Sequence, residues 1–320
     1  MKTTAVLENL PKNFWKIIRK NKYQDYFLKR KSKDFFKAEV AIIRTKTIFD
    51  KDMFNKFPNL KFIIRAGTGY DNIDLIEAEK RNVFVSNTPL ANINAAFEHT
   101  MALIFASLKK IKKADKWVQN KYWKRNLQLN FELLGLKVLV VGVGRIGTKV
   151  ANALVALGAD VKGVDPFLSK EDWEKKGIKD TNFLDGICTS NLVTFHCPLT
   201  RNTLYYFNDD IVKKIEKPIF LVNTSRGKVV SESALRKGIL ENKLIGVGLD
   251  VFEEEPYSNS LNSDFDNIIC TPHTGAFTFK AKERISQEIY YVWHGFVSQG
   301  VIANDVIKES KKYDFFYKFT

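Results

Sequence analysis

Two kinds of apolar pattern alternate along this chain. Short unbroken apolar runs bounded by Asn, Asp, Gly or Pro read as buried strands, while apolar residues spaced three and four apart read as helices. Strands are predicted at 4–7, 40–43, 59–65 and 82–86, then at 138–141, 160–165, 192–195, 219–222, 245–249 and 268–270. Helical stretches lie between them, so the sheets are expected to be parallel and the fold α/β. One long helix carries its buried stripe on Phe97, Met101, Ile104, Leu108 and Ile111, with a lysine-rich far end that suits the helix dipole. A last helix is expected at about 280–297, and 301–307 reads as a small strand returning to the first domain. There is no internal repeat.

The most specific local signal is Lys137-Val-Leu-Val-Val-Gly-Val-Gly-Arg-Ile-Gly147. A buried strand runs into Gly142, Gly144 and Gly147 at the mouth of a helix. The first glycine permits a tight turn, the second lets backbone approach a pyrophosphate, and the third lets helix and strand pack closely. Asp165 ends the next strand 18 residues past Gly147, placed for a ribose diol. Its carboxylate accepts from a 2′-hydroxyl and repels a 2′-phosphate, which favours NAD over NADP. The fingerprint begins far into the chain, so another domain is built before it.

A chain of 320 residues exceeds what one core usually serves, and two domains follow. With 45% hydrophobic and 27% charged residues it reads as an ordinary globular protein, not a disordered one. Cys188, Cys197 and Cys270 lack C-x-x-C spacing, which argues against a disulfide framework or a zinc site and for a reducing cytoplasm. Neither a signal peptide nor a membrane span is expected. The net charge of +15 comes from dispersed basic clusters interleaved with acids. It suits anionic small ligands or is simply a solvated surface, and no specific nucleic-acid binding is expected.

Three loops at strand ends carry the chemistry: Asn223-Thr-Ser-Arg-Gly227, Asp250-Val-Phe-Glu-Glu-Glu-Pro256 and Thr271-Pro-His-Thr-Gly-Ala276. In an open α/β sheet these carboxyl-end loops hold ligands. Arginine grips a carboxylate with a planar fork, histidine moves a proton near neutral pH, and a carboxylate beside that histidine raises its pKa and fixes its tautomer. Together Arg226, Glu255 and His273 suit a 2-oxo or 2-hydroxy acid. By residue type alone His273 is as easily a capping or core histidine. His99, His196 and His294 read as non-catalytic, Glu253 and Glu254 as solvated, and Cys188 and Cys270 as small core residues.

In the order and spacing of these motifs the chain resembles the D-isomer-specific 2-hydroxyacid dehydrogenases from about residue 38 to 296. Arg226 precedes Glu255 by 29 residues, and Glu255 precedes His273 by 18. The resemblance implies Arg226, Glu255 and His273 as the catalytic triad. It implies Asp165 on the adenosine ribose, Asp250 near the nicotinamide carboxamide, and Arg145 and Ile146 on the pyrophosphate. Thr68, Cys197, Thr224 and Ser225 fall at cofactor-contacting positions. It further implies two domains, a Rossmann-type doubly wound sheet at 95–275 and a smaller flavodoxin-like α/β substrate domain from 1–94 plus 276–320, and a homodimer closing on substrate at an interdomain cleft. Ile43-Arg44-Thr-Lys-Thr and Ile64-Arg65-Ala-Gly-Thr-Gly69 resemble the substrate loops of the 3-phosphoglycerate dehydrogenase branch, and the Asn87-Thr-Pro89 to Glu98-His-Thr100 stretch and Trp123-Lys-Arg125 agree with it. Arg44, Arg65 and the backbone of Gly67, Thr68 and Gly69 are then substrate-binding, and that branch's carboxy-terminal regulatory domain is not expected here. Alternatives are a glyoxylate or hydroxypyruvate reductase, or a non-enzymatic NAD(H)-sensing protein of the same fold.

Overall fold

A computed structural model describes residues 2–123, 130–258 and 260–311, which divide into two compact units. The first unit comprises 1–94 and 277–320, the second 95–276. Among the described residues no helix is long and apolar enough to cross a membrane.

The first unit holds four parallel strands in sequence order: β1 (Thr4–Val6), β2 (Val40–Ile43), β3 (Phe62–Arg65) and β4 (Phe84–Asn87). Both faces are buried, and the period-two alternation of side chains sorts them into two cores. Val40, Ile42, Phe62 and Ile64 pack under helices Lys12–Lys20 and Phe279–His294, whose Phe14, Ile289 and Trp293 are fully enclosed. Ala41, Ile43, Ile63 and Val85 face helices Lys51–Lys56 and Leu75–Lys80. Outside β1, Phe27 forms a single parallel bridge to Thr4, so a vestigial strand gives the flavodoxin-type order in which the first strand is internal. The strand expected at 301–307 does not form. It reduces to one antiparallel bridge, Ser86 to Asp305, after which the Asp305 side chain accepts from the N–H groups of Ile307 and Lys308 and starts a helix at Val306–Ser310.

The second unit is a seven-stranded parallel sheet. Its strands are β5 (Lys137–Val141), β6 (Asp160–Val164), β7 (Lys179–Asp180), β8 (Leu192–Phe195), β9 (Ile219–Asn223), β10 (Leu244–Leu249) and β11 (Ile268–Cys270). The order β11-β10-β9-β8-β5-β6-β7 reverses between β5 and β8, which creates the ligand crevice of a doubly wound sheet. Leu139, Val141, Phe195 and Leu221 fill one face, and Val138, Val140, Leu192 and Val222 the other. β7 was not legible in the sequence, because it is two exposed polar residues at an edge, a short charged edge that resists further pairing.

The long helix differs from the expected one. It runs Ile93–Leu108 and stops, Lys110 turns left-handed (φ 51°), and a second helix spans Ile111–Gln119. Met101, Ile104 and Leu108 are buried, but Ile111 is 54% exposed and does not continue the stripe. The lysines therefore follow the helix instead of closing its last turn.

Candidate active site

The crevice begins at Gly142, whose φ of +88° suits glycine alone. A Cβ there would lie 2.6 Å from the backbone nitrogen of Cys197, so the loops after β5 and β8 meet with no room for a side chain. A Cβ on Gly147 would lie 1.9 Å from the Gly142 carbonyl oxygen, whereas one on Gly144 would meet open space. Gly144 caps helix Arg145–Ala156 without any side-chain hydrogen bond, leaving the first N–H groups, those of Arg145 and Ile146 included, at a bare and open helix start. That is the cradle a dinucleotide pyrophosphate requires, so the residues fit NAD. Gly147→Ala is expected to force helix and strand apart, destabilising the fold by about 1–3 kcal/mol as overpacking does. Urea unfolding reads this as a lowered midpoint, together with weaker NADH binding.

Asp165 follows β6. Its Oδ2 accepts from the Val143 N–H at 3.0 Å and its Oδ1 from the Phe167 N–H at 3.1 Å. The acid is thus tied to the glycine loop itself. After β8, burial pushes the His196 imidazole down to about 3, so it stays neutral, with Nε2 3.0 Å from Thr194 Oγ1. Burial also pushes the neighbouring Cys197 thiol up to about 12, which excludes a thiolate nucleophile.

Strands β9, β10 and β11 end level with one another, since Asn223, Leu249 and Cys270 are register partners. The three chemistry-bearing loops therefore leave the sheet side by side. In the first, the buried Asn223 side chain accepts from the Ser225 N–H (3.0 Å) and hydroxyl (2.8 Å) and donates to the Arg226 carbonyl (2.9 Å). This Asx-type turn fixes the backbone that carries Arg226, whose Nη1 donates to the Ser225 carbonyl at 2.7 Å. Thr224 shares a 2.8 Å hydroxyl contact with Thr100. A Cβ on Gly227 would lie 1.8 Å from the Phe252 carbonyl oxygen, so this loop packs directly on the next.

Asp250 begins that second loop and is 2% exposed, with donors from four residues, His99, Thr271, Thr274 and Gly275, around its carboxylate. Further on, Glu255 Oε1 accepts from the Phe252 N–H at 3.2 Å, and its Oε2 lies 2.6 Å from His273 Nδ1. An ionised carboxylate only accepts, so Nδ1 carries the proton of this bond and Nε2 is left for a substrate. Nε2 is an acceptor in the neutral ring and a donor in the imidazolium, as a reversible proton carrier needs. Glu253 is not solvated: it accepts from the Tyr205 hydroxyl at 3.0 Å and the Glu232 N–H at 2.7 Å, pinning the loop from behind. Cys188 is exposed instead of a core residue, because it sits near the outer end of helix Phe183–Thr189, beyond that helix's buried residues. Cys270 is half-buried against the core.

In the first unit, Ile43 and Arg65 are register partners, which puts Arg44 and Arg65 at the ends of adjacent strands. The Glu8 carboxylate accepts from the N–H groups of Arg44 (2.8 Å), Thr47 (2.9 Å) and Lys46 (3.2 Å), while Asn72 donates to the carbonyls of Arg44 and Thr47. Burial would raise the Glu8 carboxyl, but these backbone donors outweigh it and hold it below the usual range. Arg44 Nη1 donates to the Asn9 carbonyl at 3.2 Å. Arg65 is 9% exposed, and its guanidinium lies across Gly67, where a Cβ would fall 1.7 Å from Nη1. The carbonyls of Gly67 and Thr68 accept from the Thr88 N–H and the Asn87 amide, which shapes the turn that ends at Gly69. Lys124 and Arg125 lie outside the described residues.

The supporting residues Glu8, Asn72, Asn223 and Gly227 carried no individual signal. Asn223 alone was approachable, as an Asx-turn residue after a strand. Glu8 was not, because the loop it holds lies 36–39 residues away.

Residues 101–275 match the family described as D-isomer specific 2-hydroxyacid dehydrogenase, NAD binding domain. The chain belongs to this family. Its members are oxidoreductases that use NAD on 2-hydroxy acids, and the second unit is their cofactor domain. The chain is 35% identical over 251 residues to a D-3-phosphoglycerate dehydrogenase of Bacillus subtilis, covering 78% of this chain and 48% of that one. It is 33% identical over 273 residues to a glyoxylate reductase of Pyrococcus furiosus, covering 82% and 81%. It thus spans about half the length of the phosphoglycerate dehydrogenases it matches. Among solved structures, a D-lactate dehydrogenase from Aquifex aeolicus complexed with NAD and lactic acid superposes with a TM-score of 0.82 at 27% identity, over 92% of this chain and 95% of that one.

Proposed function

We propose that this member of the family is an NAD-dependent D-2-hydroxyacid dehydrogenase acting on a phosphorylated three-carbon acid, oxidising 3-phosphoglycerate to phosphohydroxypyruvate as in serine biosynthesis. The observation that carries the chemistry is the 2.6 Å His273–Glu255 pair, which joins the loops after β11 and β10, the latter beside the Arg226 loop after β9. Arg226 orients the substrate carboxylate with its fork. His273 Nε2 takes the hydroxyl proton in oxidation and returns it in reduction, while Glu255 holds the ring and balances its positive charge. NAD, when bound, supplies the hydride acceptor. Gly142, Gly144, Arg145, Ile146 and Gly147 hold its pyrophosphate, Asp165 its ribose, and Asp250, Thr224, Ser225, Cys197 and Thr68 complete the cofactor contacts.

Arg44 and Arg65 support the phosphate, since two arginines at adjacent strand ends match a dianion better than a neutral hydroxymethyl group. The second reading, reduction of glyoxylate or hydroxypyruvate, is favoured by the greater share of the Pyrococcus furiosus glyoxylate reductase that the chain covers. Exposed apolar side chains at Ile111, Val118, Tyr122, Trp123 and Leu134 support a homodimer that covers them. Three free thiols agree with a reducing cytoplasm.

NADH oxidation against phosphohydroxypyruvate, hydroxypyruvate, glyoxylate and pyruvate tests the proposal. Phosphohydroxypyruvate is expected to give the highest kcat/KM, and Arg44→Ala to raise its KM while leaving that for hydroxypyruvate unchanged. Preference for an unphosphorylated acid would remove the phosphate role and leave the triad. Tight NADH binding without turnover would overturn the enzymatic reading.

A further inference from the structure

We propose that His99 is a positioning residue for the nicotinamide end of the cofactor site, acting through Asp250. The inference rests on the reading that Asp250 receives the carboxamide. His99 lies on helix Ile93–Leu108, away from the strand-end loops, and the sequence reading gives it no chemical role. Its Nε2 lies 2.9 Å from Thr271 Oγ1 and 3.2 Å from Asp250 Oδ1.

The protons can be placed by elimination. Thr271 has one hydroxyl proton, and the 2.6 Å contact from its Oγ1 to Asp250 Oδ1 consumes it. Nε2 then faces two oxygens that can only accept, so it carries a hydrogen and donates to both. Oδ1 also accepts from the Thr274 N–H at 2.8 Å and is saturated. Among the described residues Oδ2 accepts from the Gly275 N–H alone, at 2.8 Å, which leaves it capacity for one more donor. An amide N–H₂ such as the nicotinamide carboxamide supplies one. A Cβ on Gly275 would sit 2.9 Å from Oδ2 and 3.6 Å from the His99 ring, so a side chain there would crowd both groups.

The ionisation state agrees. Burial alone would raise the Asp250 carboxyl, but the His99, Thr271, Thr274 and Gly275 donors outweigh it and hold it below its ordinary value. His99 thus keeps a buried carboxylate charged and aimed, so that Oδ2 presents a fixed acceptor. A residue retained only for packing would have no need of a donor at this atom.

The test is NADH binding by fluorescence titration, with thermal unfolding of the ligand-free protein alongside. His99→Leu fills similar space without a donor and is expected to weaken NADH about tenfold or more, the worth of a hydrogen bond to a charged group. His99→Gln, whose Nε2 reaches as far as the imidazole's, is expected to recover most of the affinity, and the shorter His99→Asn is not. In an Asp250→Asn background His99→Leu is expected to add little, because the carboxylate it serves is gone. If His99→Leu proves too unstable to compare, the Gln and Asn pair carries the same contrast. Wild-type affinity in His99→Leu, equal affinity in Gln and Asn, or fully additive losses in the double variant would overturn the proposal. A wild-type protein that does not bind NADH would overturn the cofactor reading first, and this inference with it.

Discussion

His273→Ala is expected to lower kcat by about 10²–10⁴-fold, the usual worth of a positioned acid–base group, with NADH affinity close to wild type. The proton between substrate oxygen and solvent then has no carrier, because the other histidine among these strand-end loops, His196, is half-buried and held neutral beside the cofactor loop. Glu255→Gln separates orientation from proton transfer. A glutamine can turn its N–H₂ toward Nδ1, which would make that nitrogen the acceptor and move the ring proton to Nε2. A neutral ring in that tautomer cannot act as base, and the imidazolium that donates in reduction loses the carboxylate that balances its charge, so both directions should slow. Rapid-mixing kinetics in both directions reads the loss, and a wild-type rate in either would remove Glu255 from this role. Wild-type turnover in His273→Ala would remove the assignment altogether.

The second large effect is expected at Arg226. Replacing it with glutamine should lower kcat/KM by about 10²-fold, roughly 3 kcal/mol, from two charge-assisted hydrogen bonds of about 1.5 kcal/mol each. Arg226→Lys should recover only part of this, because an ammonium keeps the charge and loses the fork. Most of the loss should appear in KM for the acid. The backbone of the loop should survive either change, since Asn223 holds the turn through the Arg226 carbonyl and not through its side chain. Calorimetry of NADH binding provides the control: a comparable loss there would mean that Arg226 shapes the cofactor loop and does not grip the carboxylate.

The parts of this protein legible in its sequence are those in which chemistry is local. Val138–Val141 is apolar because both faces of a parallel strand are buried, and Gly142 and Gly147 are glycine because a Cβ would strike backbone. Such constraints act on neighbouring residues and leave a readable pattern. The end of the long helix was misread for a matching reason. Leu108 and Ile111 keep helical spacing across the break, and spacing alone carries no record of the left-handed turn at Lys110. Residues 301–307 hold two short β-branched apolar runs that resemble a strand, although Asp305 between them caps a helix at Val306–Ser310.

Residue order alone therefore carries the class of fold, the glycine cradle, the acid at the end of β6, and which residue types stand ready at the strand ends. Which of them meet is set by the fold in three dimensions. Three adjacent glutamates are indistinguishable as letters, yet Glu253 pins its loop through Tyr205 and Glu232 while Glu255 reaches His273. Glu8 and Asn72 prove to shape the Arg44 loop, and His99, given no chemical role by its place on the helix, proves to face Asp250. The reason is physical: a hydrogen bond depends on distance and direction in space. For residues separated by scores of positions, those are set by strand order, register and loop packing and not by spacing along the chain.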